Sequence, residues 1–132
     1  MVIPYARQSI SKQDLNAVAE VLQSDYLTQG PVVPAFEDAV AQLVGAKYAV
    51  AGNSATSMLH VACLALGVTA GDRVWTSPNS FVASANCALY CGAEIDFVDI
   101  DSETFNMSPV ALAVKLEQAS KSNTLPKVII PV

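Results

Sequence analysis

Apolar residues recur along this chain with helical spacing at first, and then in short runs that alternate with helical stretches. Residues 1–10 read as extended, with Pro4 favouring that backbone. From Ser11 onward Leu15, Val18, Val21 and Leu22 form one helical stripe, and Ile10 is placed to staple the first turn. Ser24-Asp25-Tyr26-Leu27-Thr28-Gln29-Gly30-Pro31 breaks the pattern and predicts a loop. A second helix is expected from about Val33-Pro34, with Phe36, Val40, Leu43 and Val44 inward and Gly45 as its stop.

Beyond Lys47 the order becomes regular. Tyr48–Ala51 reads as a buried strand, Ser54–Leu66 as a helix stopped by Gly67, and residues 68–72 as a turn. Arg73–Ser77 is the next predicted strand, Phe81–Cys91 a helix ending at Gly92, and Glu94–Ile100 a third strand. Asp101–Asn106 reads as a loop, and Ser108-Pro109 puts proline in the first turn of a helix that runs to about Ser120. Lys127–Val132 begins a fourth strand. Strands alternating with helices predict an α/β fold with a mostly parallel sheet. A chain that stops on an apolar strand with no covering helix reads as the N-terminal part of something longer.

Composition sharpens this picture. The 132 residues are 52% hydrophobic and 14% charged, with a mean hydropathy of +0.39. That is apolar for a free-standing domain, and suits either a sheet covered on both faces or a surface that packs against a further element. The net charge of −5, with no basic cluster, argues against a nucleic-acid partner. No basic leader precedes an apolar core, and no apolar run approaches the roughly 20 residues that span a bilayer. Cys63, Cys87 and Cys91 lie within apolar helical patterns and read as reduced core thiols of a cytoplasmic protein. Cys87 and Cys91 share a helix face, but no His or further Cys completes a metal site.

Ligands of open α/β sheets lie at the carboxyl ends of the strands. Three stretches qualify: Asn53–Ser57, Ser77–Phe81 and Asp99–Asp101. A strand that turns directly into a helix leaves the first N–H groups unpaired, and with the helix dipole they form an anion site. Ser54, Thr56 and Ser57 add hydroxyls, while Gly52 and Ala55 allow close approach, so the turn reads as a phosphate holder or as a simple helix cap made by Ser54 or Thr56. Phe81 is placed either to stack on a flat cofactor or to anchor the core at a helix start. Asp99 and Asp101 lack a third metal ligand, and Asp101 reads as a turn former. His60 and Trp75 sit in apolar elements and read as packed residues. There is no GxGxxG dinucleotide fingerprint and no GxSxG elbow.

These residues fall in a familiar order. Leu27-Thr28-Gln29-Gly30, Phe36-Glu37, Gly45-Ala46-Lys47-Tyr48, Asn53–Ser57, Ser77–Asn86 and Phe97-Val98-Asp99-Ile100-Asp101 occur in sequence. The run resembles the N-terminal third of the DegT-like nucleotide-sugar aminotransferases, which use pyridoxal 5′-phosphate (PLP) and have the fold type I architecture. Asn-Ser-Ala-Thr-Ser, with Ser80-Phe81-Val82-Ala83, is most similar to the branch that aminates C4 of a UDP-linked 4-keto-6-deoxy-N-acetylhexosamine in pseudaminic acid synthesis, with glutamate as donor. The fold implied is an incomplete three-layer sandwich, the first part of the large PLP-binding domain. Residues 1–30 would be an arm, helix and substrate loop, and residues 31–132 a partial cofactor domain.

The resemblance implies that Ser54, Ala55 and Thr56 bind the PLP phosphate and that Phe81 stacks on its ring. It implies that Tyr5, Asp25, Tyr26, Leu27 and Thr28 line the nucleotide-sugar pocket of a homodimer. The family holds PLP covalently on a lysine, and none of Lys12, Lys47, Lys115, Lys121 or Lys127 matches that lysine's motif. No catalytic residue is therefore expected within 1–132, and this chain alone is expected to be inactive. Charged hydrogen bonds worth roughly 1.5–3 kcal/mol each, less the cost of association, give it millimolar PLP affinity at best. Two alternatives stay open: a sugar dehydratase relative with histidine in place of the lysine, and a non-catalytic phosphate-binding or assembly module.

Overall fold

The computed structural model describes residue 3 and residues 6–132. They form two compact units, the first ending at Ala51 and the second spanning Gly52–Val132.

The first unit holds helices α1 (Lys12–Gln23) and α2 (Val32–Val44). Ser11 starts α1 with a reciprocal cap: its hydroxyl accepts from the Asp14 N–H at 3.2 Å, and the Asp14 carboxylate accepts from the Ser11 N–H at 2.7 Å. Gly45 ends α2 with φ of 69°, a left-handed conformation that glycine adopts freely. Two expectations fail here. Phe36, Leu43 and Val44 point outward rather than inward, Leu43 being 86% exposed, and Ala41 is the buried residue of the helix. Tyr48–Ala51 forms no strand, and Tyr48 is 76% exposed. For 48–51 the cause is that, among the described residues, no strand lies beside it to complete a ladder. The Ala51 N–H donates instead to the Glu37 carboxylate at 2.8 Å.

The second unit runs α3 (Ala55–Ala65), β1 (Arg73–Thr76), α4 (Ala83–Tyr90), β2 (Glu94–Phe97), α5 (Pro109–Ser122) and β3 (Val128–Ile130). The three strands are parallel in the order β2-β1-β3. Val74 of β1 faces a core with Cys63 of α3 and with Cys87 and Ala88 of α4. Trp75, on the opposite face, packs with Ala119, Leu112 and Leu116 of α5. Helices therefore cover both faces of a short parallel sheet, which is the α/β layering expected from the alternation of strand and helix. The strand expected over Glu94–Ile100 stops at Phe97. Its partner β1 ends before Pro78, which has no N–H for the ladder, and Ile100 bridges antiparallel to Met107 instead.

Ion pairs lie toward the amino ends of the strands and, for Lys115, further along β2. Arg73 meets Glu94 across β1 and β2 at 3.0 Å. Lys127, at the start of β3, bonds the Asp72 carboxylate at 2.8 Å and the Gly67 carbonyl at 2.5 Å. Lys115 of α5 reaches Asp96 at 2.7 Å and lies over the Trp75 ring at 4.9 Å. The Lys115 hydrogen bond holds the Asp96 carboxyl below its ordinary 3.8, and the Lys127 hydrogen bond does the same for Asp72. Carboxyls depressed on folding stabilise the fold above their unfolded value and lose that contribution as pH falls through the folded one. The thermal midpoint of the second unit is therefore expected to hold steady down to the carboxyl's ordinary 3.8 and to drop below it. Asp96→Asn should start lower and show a shallower acid slope in calorimetry; an unchanged slope would remove Asp96 from the account.

Candidate functional site

The start of α3 follows from its sequence. Ser54 is extended at φ −160°, and its hydroxyl accepts the Ser57 N–H at 3.2 Å and donates to the Ser57 hydroxyl at 3.0 Å. The Met58 N–H goes to the Ser54 carbonyl at 3.1 Å. This leaves the N–H groups of Ala55 and Thr56 without a hydrogen-bond partner among the described residues, at the positive end of the helix dipole. Of the two roles considered for the turn, the cap is observed: Ser54 spends its hydroxyl on it, and the two residues after it carry N–H groups with no partner among the described residues. Gly52 lies against Met58, and a Cβ there would force the flexible Met58 side chain to move.

Topology brings a second group to the same end. α3 returns through a short turn to the amino end of β1, and α4 returns likewise to β2, so both helices run against the strands and parallel to one another. Cys63 and Cys87 meet across them, and burial, with Cys87 alongside, pushes the Cys63 thiol up to about 11. Phe81 lies in the segment between β1 and α4, just ahead of the Val82 cap. Phe81 is 74% exposed, so it is no core anchor and its ring is open to a ligand. It borders a cavity of about 190 Å³ lined also by Thr76, Ser77, Ser80, Ser84 and Phe97.

The remaining candidates resolve individually. In the first unit, the loop after α1 folds against that helix around a cavity of about 440 Å³, whose lining includes Val21, Tyr26, Leu27, Thr28 and Val32. Asp25 is not part of that lining, and Tyr5 lies outside the described residues. Gly30 permits the loop's closure, because a Cβ there would sit 2.7 Å from that of Tyr26. His60 packs edge-on against Tyr90, ring centres 5.3 Å apart. Asp101 accepts the N–H groups of Glu103 at 3.0 Å and Thr104 at 2.9 Å, which lower its carboxyl; it shapes a turn. No group of three metal-ligating side chains occurs among the described residues, and no helix there is long and apolar enough to cross a membrane. The pairing of Met58 with Gly52 and of Glu37 with Ala51 was invisible in the pattern, since neither leaves a periodic signal.

The chain as a whole has counterparts among known proteins. Residues 8–132 match the DegT/DnrJ/EryC1/StrS aminotransferase family, and the chain belongs to it. That is a family of PLP-dependent sugar aminotransferases. Among relatives, the spore coat polysaccharide biosynthesis protein SpsC of Bacillus subtilis (strain 168) is 43% identical over 130 residues, which are 98% of this chain and 32% of SpsC. Helicobacter pylori PseC, an aminotransferase involved in the biosynthesis of pseudoaminic acid, superposes with a TM-score of 0.84 at 34% identity, over 97% of this chain and 33% of PseC. The PLP form of the putative sugar aminotransferase Spr1654 from Streptococcus pneumoniae gives a TM-score of 0.76 at 29% identity, over 83% of this chain and 28% of that one. The chain thus spans about a third of the length of the curated relatives it matches.

Gly52→Ala is expected to displace Met58 and cost about 1–3 kcal/mol in urea unfolding. In a Met58→Ala background that added cost should vanish, because the two residues are coupled by direct contact. Equal costs in both backgrounds would show that Met58 is not what requires glycine at 52.

Proposed function

We propose that this chain is the phosphate-gripping N-terminal portion of an aminotransferase that moves an amino group from glutamate to C4 of a UDP-linked 4-keto-6-deoxy-N-acetylhexosamine. The observation that carries the reading is the pair of N–H groups of Ala55 and Thr56 at the start of α3, unpartnered among the described residues, and it is supported by the exposure of Phe81 ahead of α4. The residues fit a flat phosphorylated group: two amides and the Thr56 hydroxyl suit the phosphate, and Phe81 offers a face for a ring. PLP, when bound, supplies the electron sink for amino transfer. The chain's own part is to hold the phosphate, fix the ring's plane and restrict its tilt. Likeness to PseC supports the choice of sugar. Tyr5, Asp25, Tyr26, Leu27 and Thr28 would contribute the nucleotide-sugar contacts, in a homodimer.

The lysines bear on activity. Lys115, Lys121 and Lys127 are each paired with a carboxylate of α5, β2 or the turn before β1, and Lys47 lies over the Tyr48 ring at 5.1 Å. None of these is offered to the α3 turn, so 1–132 alone should bind PLP weakly and form no product. The full-length gene product, given PLP, glutamate and the UDP-linked 4-keto sugar, should yield the 4-amino sugar and 2-oxoglutarate by mass spectrometry. In that protein Thr56→Val should weaken PLP binding about tenfold, and Phe81→Ala about threefold to tenfold, by absorbance titration. Product from 1–132 alone, or unchanged binding in both variants, would overturn the reading.

A further inference from the structure

The carboxyl end of β1 carries a polar group with nothing to bind. Ser77 is 1% exposed, and its hydroxyl has no hydrogen-bond partner among the described residues. Its neighbours are satisfied: the Thr76 hydroxyl donates to the Ile130 carbonyl at 3.0 Å, and the Ser80 and Ser84 hydroxyls pair at 2.6 Å. Ser77 lines the cavity of about 190 Å³ beside Phe81, together with those hydroxyls.

A buried hydroxyl without a partner weakens the folded state, and alanine in the same place would be no worse. Serine here makes sense when something with an acceptor enters the cavity. A trapped water needs about two to four polar partners, and the donors around this one are already committed. The only other such atom among the described residues, Trp75 Nε1, belongs to a ring that packs the α5 core and carries Lys115 on its face, so its indole is retained for area and charge.

We infer that the Ser77 hydroxyl is a cofactor contact, donating a hydrogen bond to an oxygen of the PLP held by the turn at Ala55 and Thr56. The inference rests on the cofactor reading of that turn. It adds to the phosphate grip a third point, on the strand side of Phe81, that fixes the cofactor's position within the cavity.

The test compares cofactor-free and PLP-loaded forms of the full-length protein. In Ser77→Ala the cofactor-free thermal midpoint should equal or exceed that of the wild type, because an orphaned hydroxyl has been removed. The same variant should raise the PLP dissociation constant about tenfold and shrink the PLP-induced rise in midpoint. PLP binding within about twofold of wild type, or midpoints that fall equally with and without PLP, would overturn the assignment. Thr56→Val separates the two ideas. Weak binding in Thr56→Val with normal binding in Ser77→Ala removes Ser77 alone, whereas normal binding in both removes the phosphate turn as well.

Discussion

Two backbone N–H groups, those of Ala55 and Thr56, are the feature around which the second unit is arranged. They are free because Ser54 caps only the third residue of α3 and its carbonyl takes the fourth. What makes this turn a candidate site is that α3 runs against β1, so that its beginning lies toward the strand's carboxyl end. Val74 holds that orientation from the sheet, with Cys63 and Cys87 as the contact between the two helices. These are small side chains, and they let α3 and α4 lie close together. A larger residue at either cysteine would separate the helix starts and disturb the site without touching it.

The apolar surface follows from the same architecture. The first unit places Leu15, Val18 and Leu22 of α1, and Phe36 and Leu43 of α2, at the surface. Those stripes have the correct helical period and no cover among the described residues. The composition had indicated either a fully covered sheet or a surface awaiting contact. Both hold, in different places: β1 is covered on both faces, while α1 buries nothing.

Legibility in the sequence tracked how local the cause was. Helix starts at Ser11, Ser54 and Ser108, and stops at Gly45, Gly67 and Gly92, depend on a few neighbouring residues and could be read directly. The parallel sheet was legible because alternation of strand and helix permits few other arrangements. The strand expected at Tyr48–Ala51 failed because a strand needs a partner, and an apolar run cannot name its partner. Val98–Ile100 failed for a related reason, since the neighbouring strand ends at Thr76 and Pro78 just beyond it has no N–H to extend the ladder. In the candidate site, the cap that Ser54 places on α3 was legible from residue type and order. The empty hydroxyl of Ser77 was not, because an unmet hydrogen bond appears only when the surroundings are known.

The two ends of the sheet differ in chemistry, and the difference bears on what can bind where. Toward the amino ends, Arg73 and Lys127 are matched by Glu94 and Asp72, and Lys115 of α5 pairs with Asp96 further along β2, so these positive charges are spent on holding strands and helices together. At the carboxyl end of β1 the donors are amides and hydroxyls, weaker than cations singly but fixed by the fold. A phosphate held by amides keeps its position without drawing a flexible lysine out of an ion pair. Neutral donors also leave the charge of the bound group in place, so the site gains affinity from geometry rather than from net charge, consistent with a chain that carries −5 overall. A grip of that kind orients its ligand well and holds it only moderately, so firm retention of a cofactor requires further contacts than the α3 turn alone supplies.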